Sequence, residues 1–388
     1  MINGFQTTDL RLIYGSDALC KLPDILTEYN YKSIIMIIDG NILKCNFVAG
    51  LIDNIKKGKI DILKVFEASA IEEPSYDYLD EVTSSLKGFV VDCIIGIGGG
   101  SICDLAKGVA ILFNNAGKGI NYKGMNKVKN PARPVILVPT TAGTGTEATK
   151  TAVFIDKNEK VKLGINGKNV DTYMAILDPA VLVDCPVKVK IFSGLDAMVH
   201  SIEAVTATTS TELSRLIGKQ AFKYIFNNFK ASLSDKADKI TLLNMQLGSY
   251  LAGLAMYNAG GGPASGISYP LGVHYKVPHG IAGGIFLQHV FEGNVNKGYF
   301  GYNEVYDLLR PMDSGLDESL KSRKFVDLFR EFYYGLQAPK YLNVFGITKE
   351  DIRNITELTV KQRVLNLRLN PVKFDRCDVE ALLEKVIE

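Results

Sequence analysis

The sequence predicts an α/β fold in its first half, a parallel sheet with crossover helices, and an all-helical second half. Short apolar runs alternate with helical patterns from residue 30 to about 140, as βαβ units require. A glycine-rich turn joins one of those runs to a helix, and from Ser193 onward the chain reads as helix after helix with few strand signals. At 388 residues the chain is longer than one core usually supports, so two domains are expected. Cys185, Pro186 and the basic VKVK run mark the boundary, giving domains 1–184 and 185–388.

The strands follow from β-branched, apolar composition ending in turn or capping chemistry: Ser33 to Asp39, Ile62 to Ala68, Val91 to Gly96 and Pro134 to Thr140. Between them, Tyr78, Leu79, Val82 and Leu86 stand at helical spacing within 74–89, and a helix over 101–113 starts with Ser101 as its N-cap. TAVFIDKNEKVKLGI reads as two strands around a polar turn at Asp156 to Glu159, and AILDPAVLVD as one further strand.

Composition narrows the function classes. Hydrophobic residues are 47% of the chain and charged ones 22%, enough apolar material for a sizeable core, which sets disorder aside. Forty-four Lys plus Arg against 42 Asp plus Glu leave a formal charge of +2 with no long run of one sign. Nothing there points to nucleic acid, and a small-molecule partner fits better. The six scattered cysteines form no CxxC pair and read as reduced thiols. MINGFQTTDLRLIYG carries no leader pattern and no stretch approaches the ~20 apolar residues of a membrane span. The expected compartment is the cytoplasm, with no membrane partner.

Three segments suggest nucleotide binding. Gly96, Gly98, Gly99 and Gly100 lie between a buried strand and a helix, where absent side chains let backbone N–H groups approach a pyrophosphate at a helix N-terminus; the alternative is a tight strand-to-helix connection. Asp39 ends an earlier strand, where a carboxylate accepts from an adenosine ribose and disfavours a 2′-phosphate, or else is a turn residue before Gly40. Thr140, Thr141, Thr144 and Thr146 surround Gly143 and Gly145 after another strand. They offer small hydroxyls to ribose or phosphate, or form a capping loop.

A second constellation suggests a metal. Asp196 and His200 are four apart on a predicted helix and share a face. That pair alone is equally a solvated or hydrogen-bonded one. His279, placed at a helix start by Pro278 and Gly280, supplies a third ligand. Two imidazoles and one carboxylate leave open positions for a substrate oxygen. His274, five residues before His279, is placed toward the reacting groups.

Together these segments resemble the iron-containing alcohol dehydrogenases, relatives of glycerol dehydrogenase and dehydroquinate synthase, from about Ile13 to beyond residue 290. The family's GGGSxxDxAK appears as Gly98 to Lys107, PTTxGTGSE as Pro139 to Glu147, GxDAxxHxIE as Gly194 to Glu203, and PLGxxxxxPHG as Pro270 to Gly280. The resemblance implies a doubly wound, Rossmann-like N-terminal domain and a helical, dehydroquinate synthase-like C-terminal domain. It implies NAD, with NADP as the variant, and Fe2+ or Zn2+ as cofactors. It assigns Gly98, Gly99, Gly100 and Ser101 to the pyrophosphate, Asp39 to the ribose, and Thr140, Thr141 and Thr144 to the remaining nucleotide. Asp104 and Leu182 complete that set, and Lys162 is placed on the nicotinamide side. It also implies a homodimer or higher homo-oligomer.

One departure stands out. Where the family carries HxxxHxLG, this chain reads SGISYPLG, so Ser265 replaces a fourth metal ligand and Tyr269 a histidine beside the substrate. Serine is a poor ligand for a first-row divalent metal, which leaves three protein ligands. Tyr269 is assigned to the alcohol proton, or else is a packing residue, and with the TAV and KLG segments it looks like the branch containing deoxy-octulosonate oxidase, a sugar-acid enzyme. The expected function is metal-assisted hydride transfer between an alcohol and its aldehyde or ketone. The rival readings are a lyase or cyclase like dehydroquinate synthase, and a non-catalytic NAD-binding homologue.

Overall fold

The computed structural model describes residues 4–69 and 73–388; the first three residues of the segment read above for a leader lie outside them. Nine strands and fourteen α-helices form among the described residues. The strands are β1 (Arg11–Tyr14), β2 (Ser33–Asp39), β3 (Asp61–Ala68), β4 (Cys93–Gly98), β5 (Gly124–Met125), β6 (Val135–Pro139), β7 (Thr151–Asp156), β8 (Val161–Asn166) and β9 (Met174–Leu177). The helices begin with α1 (Leu22–Glu28), α2 (Asn46–Lys57), α3 (Tyr76–Leu86) and α4 (Gly100–Asn114). They continue with α5 (Val187–Thr206), α6 (Glu212–Ser232), α7 (Lys239–Ala259), α8 (Pro263–Tyr275), α9 (His279–Asn296), α10 (Asn303–Leu309), α11 (Glu318–Tyr334), α12 (Ile352–Gln362), α13 (Val364–Arg368) and α14 (Arg376–Val386).

The chain divides into two compact units. One holds Thr7–Pro186 and Asp235–Tyr250; the other holds Val187–Ser234, Leu251–Glu388 and the few described residues before Thr7. The helix α7 therefore contributes to both, a feature that hydrophobic periodicity does not reveal.

The first unit is doubly wound. Its main sheet is entirely parallel, in the order β1-β9-β6-β4-β2-β3. Because successive side chains on a strand point to opposite faces, the apolar run of β2 splits between two cores. Ile35 and Ile37 join Ile94, Val135 and Leu137 beneath Leu79 and Val82 of α3 and Leu105 and Val109 of α4. Ile34, Met36 and Ile38 join Ile95, Ile97, Ile136 and Val138 beneath Ile25 of α1 and Leu51 and Ile55 of α2. A sheet covered on both faces needs continuous apolar strands, which explains IIMII. A smaller sheet, β5-β8-β7, contains the antiparallel pair expected around Asp156.

Two local expectations are corrected. The N-cap of α4 is Gly99, not Ser101, which lies inside the first turn. AILDPAVLVD is strand only to Leu177, because Asp178 caps the amide of Ala180 and Pro179 opens a 3-10 turn that contains Leu182. The VKVK run, read above as part of the boundary, forms the first turn of α5. All six cysteines are free. No helix among the described residues is long and apolar enough to cross a membrane.

Candidate active site

In the first unit, strand order places the nucleotide candidates side by side. The chain adds β3 on one side of β2 and then β4 on the other, so the order in which strands are added reverses between β2 and β4 while all strands stay parallel. Ligands of open α/β sheets bind outside the carboxyl ends of strands at such a reversal. Register pairs Ile38 with Ile97 and Gly98 with Pro139, and the Thr140 amide donates to the Gly98 carbonyl at 2.9 Å. Asp39 and Gly98 therefore end two adjacent strands, and Thr140 directly follows the end of a third.

The glycines are a packing requirement. A Cβ on Gly100 would lie 2.5 Å from Thr144 Cγ2, and one on Gly99 would lie 3.4 Å from Thr141. The glycine turn and the threonine loop thus touch, and no side chain caps the first turn of α4, leaving its N-terminus suited to an anion. Asp39 Oδ1 accepts from the Asn41 amide at 2.9 Å and from the Asn41 side chain, a turn arrangement that leaves its second oxygen for other partners.

Beneath these loops is a polar knot that the sequence reading did not single out. Lys107 on α4 is fully buried and donates to the carbonyls of Thr146, Thr149 and Thr151 at 2.7, 3.0 and 2.6 Å. The Thr146 hydroxyl bridges Lys107 to Asp104, to which it donates. Burial pulls the Lys107 ammonium below its ordinary pKa and pushes the Asp104 carboxyl above its own, each charge opposing the other's shift. Glu147, buried in the same knot, is pushed up to about 7 by burial. Asp104 is therefore engaged with the protein interior. Lys162, on β8, pairs with Glu73 at 2.5 Å and is largely buried. Leu182 is buried in its 3-10 turn.

In the helical unit, Asp196, His200 and His279 converge, with one potential ligand atom from each within 4.8 Å of the others. Asp196 Oδ1 lies 3.5 Å from His200 Nε2 and 3.9 Å from His279 Nε2. Ligands around one cation at ~2.1 Å stand roughly 3–4 Å apart, so small rotations close the set. Close helix packing creates the convergence. A Cβ on Gly280 would sit 1.9 Å from the Phe192 carbonyl oxygen, and one on Gly284 would sit 3.1 Å from Leu195. Only glycine lets the start of α9, and His279 with it, come this near α5. The donor chemistry, two imidazoles and one carboxylate, fits a catalytic divalent cation.

Two further residues support the cluster, and sequence reasoning missed both. Ser268 on α8 lies 3.0 Å from His279 Nδ1 and donates its hydroxyl to the Ser265 carbonyl, leaving Nε2 toward Asp196. Glu203, one helical turn beyond His200 on α5, accepts from the amides of Gly262, Ala264 and Ser265 at 2.7, 2.8 and 3.2 Å. It caps α8 from a neighbouring helix; burial raises its carboxyl pKa while these donors oppose the rise. Ser265, standing where the family carries a ligand, borders this carboxylate. A capping signal for Glu203 existed only as its place in GxDAxxHxIE. Tyr269 meets the His279 ring edge-on at 4.8 Å, and His274 stands in the last turn of α8.

The chain is similar to known proteins along nearly its whole length. Residues 10–179 match the family model for iron-containing alcohol dehydrogenase, and residues 190–387 match that for the C-terminal region of the Fe-containing alcohol dehydrogenase family. The chain is 28% identical over 340 residues to the NAD-dependent methanol dehydrogenase of Bacillus methanolicus, covering 88% of this chain and 89% of that protein. It is 28% identical over 384 residues to the sulfoacetaldehyde reductase of Bilophila wadsworthia, covering 97% of each. The structure of an alcohol dehydrogenase from Oenococcus oeni superposes with a TM-score of 0.90 at 23% identity, covering 99% of this chain and 100% of that one.

Proposed function

Because the chain belongs to the iron-containing alcohol dehydrogenase family, and is thus an NAD-dependent, metal-assisted oxidoreductase of alcohols and aldehydes, we propose that Asp196, His200 and His279 are its metal ligands. The convergence of these three groups within 4.8 Å is the observation that carries this reading. A divalent cation held there, Fe2+ or Zn2+, supplies Lewis acidity that lowers the pKa of a substrate hydroxyl, while the nicotinamide supplies the hydride acceptor.

The chain's own residues do the rest. Asp196 neutralises part of the cation's charge, and Ser268 holds the His279 ring in one orientation. Tyr269 and His274, both on α8, take up and release the alcohol proton. Amides of Gly98 to Ser101 hold the pyrophosphate, Asp39 the ribose, and Thr140, Thr141 and Thr144 the rest of the nucleotide; Lys162 and Leu182 border it. Asp104 acts from below, by fixing Thr146. The functional domains are 1–184 and 185–388. The compartment is the cytoplasm, supported by six free cysteines. A homodimer or higher homo-oligomer is favoured by exposed Leu213 and Leu216 on one face of α6.

The test is His279→Ala on protein reconstituted separately with Fe2+ and Zn2+. Metal content falls to background and turnover by about a thousandfold or more, while NADH affinity stays within about threefold. Full activity in this variant overturns the assignment.

A further inference from the structure

We propose that a groove at the amino ends of β4 and β6 binds a small aromatic carboxylate, at a site that shares no residue with the nucleotide loops or the metal cluster. The groove has a volume of about 430 Å³ and lies where α3 and α4 end. Phe89, Val90, Leu112 and Phe113 supply its apolar walls, and Lys87 and Arg133 its two cations. The nucleotide candidates follow the other, carboxyl ends of the same strands. The six residues of β4, at ~3.3 Å each, set roughly 20 Å of sheet between the two places.

The walls are held by the protein's own contacts. The rings of Phe89 and Phe113 are half-buried and pack against the apolar core shared with α3 and α4. The chain entering β6 is stitched to the end of α4. Asn115 donates from its side chain to the Asn130 carbonyl and accepts from the Asn130 amide, both at 2.9 Å, and the Asn114 side chain donates to the Pro131 carbonyl at 2.8 Å. Val90 remains 86% exposed. An aromatic ring lying among these side chains covers apolar surface that the fold itself leaves in water.

The two cations have no other hydrogen-bonding task. Helix C-termini attract positive charge, but carbonyls that end α3 and α4 are already answered. Those of Thr83 and Leu86 accept from the amides of Lys87 and Phe89. Those of Ala110, Ile111 and Asn114 accept from the Arg133 amide and from the side chains of Asn115 and Asn130. The Asp92 carboxylate feels the Arg133 charge, yet its Oδ2 accepts from the Lys32 and Ser33 amides and from the Ser33 hydroxyl. Among the described residues the side chains of Lys87 and Arg133 form no hydrogen bond and no ion pair, and Arg133 Nε is buried without an acceptor. A carboxylate suits both cations, since it accepts in the plane of a guanidinium and pairs with an ammonium. The apolar walls then require that the carboxylate be carried on an aromatic body.

The experiment is calorimetry on the metal-loaded protein saturated with NADH, comparing 2-naphthoate with the neutral 2-naphthamide. The acid saturates with a dissociation constant below about 1 mM, and the amide binds at least about tenfold more weakly. Arg133→Gln and Lys87→Gln each weaken the acid by about fivefold or more, and Val90→Glu, which puts a like charge beside the carboxylate at an exposed position, by about tenfold. Turnover and NADH affinity stay within about twofold in all three variants, because no catalytic or nucleotide-binding residue is touched. If Arg133→Gln fails to fold, the exposed Lys87 and Val90 carry the comparison. No saturation by about 1 mM, or equal binding of acid and amide, overturns the proposal. Unchanged affinity in the folded variants also overturns it, by placing the acid elsewhere on the molecule. The oxidoreductase reading is independent of each outcome.

Discussion

The loops after β4 and β6 and the junction of α5, α8 and α9 build their sites in opposite ways. The loops expose backbone. Glycines at 98–100 remove side chains, Thr141 and Thr144 fill the space left, and Lys107 holds three carbonyls from below. The helical junction exposes side chains. Glycines at 280 and 284 serve there only to bring helices together, so that Asp196, His200 and His279 meet. A diffuse, multiply charged pyrophosphate suits many amides; a compact cation needs a few side-chain atoms at fixed distances. One site therefore depends on a buried polar knot, and the other on close packing and oriented rings.

The sharpest way to break this contrast is at Lys107. Lys107→Met leaves the carbonyls of Thr146, Thr149 and Thr151 without their ammonium donor and Asp104 without its opposite charge. We expect a loss of about 3–5 kcal/mol in chemical denaturation and NADH affinity at least about tenfold weaker, with metal content unchanged. Loss of metal together with nucleotide would show that the two sites are not built independently.

Glu147 supplies a pH signature for the same knot. Its carboxyl is pushed from an ordinary 4.5 up to about 7 by burial. An acid with a raised folded-state pKa binds its proton more tightly when folded. Its contribution is complete below about 4.5 and is lost as pH rises through about 7. Glu147→Gln should flatten the decline in stability across that interval, by up to about 3 kcal/mol, in denaturation midpoints measured from pH 4.5 to 7.5. An identical slope in the variant would remove Glu147 from the account.

The smallest effect belongs to the helical side. Ser268→Ala frees the His279 ring from its hydroxyl partner and should weaken metal affinity by about tenfold, the lower end for groups that orient a ligand. Competitive titration against a chromophoric chelator reads it, with NADH affinity as the control. No change would mean that helix packing alone orients His279.

Legibility in the sequence follows the same divide. The β2 run IIMII announces burial on both faces, and glycines 98–100 announce a backbone site, because each requirement acts on consecutive residues. Asp196 and His200 were readable from the helical repeat, which sets their common face. The failures were equally local in origin. Ser101 looked like the cap of α4 because it is the first capping side chain after the glycines, and AILDPAVLVD looked like one strand because its apolar run continues past the Asp178–Pro179 turn. Lys107, Glu203 and Ser268 passed as ordinary members of motifs or helices, since their partners lie on other elements.

The order of residues thus determined the α/β and helical halves, the glycine cradle and the three metal-binding candidates. Hydrogen-bonding geometry and side-chain periodicity act over a few residues and leave a regular trace. Only the tertiary structure decided that Asp39 and Gly98 end neighbouring strands with Thr140 just past the end of a third, and that Gly280 brings His279 within reach of α5. Those are distances between segments far apart along the chain. They are set by how sheet order and helix packing fill space, which no local pattern records.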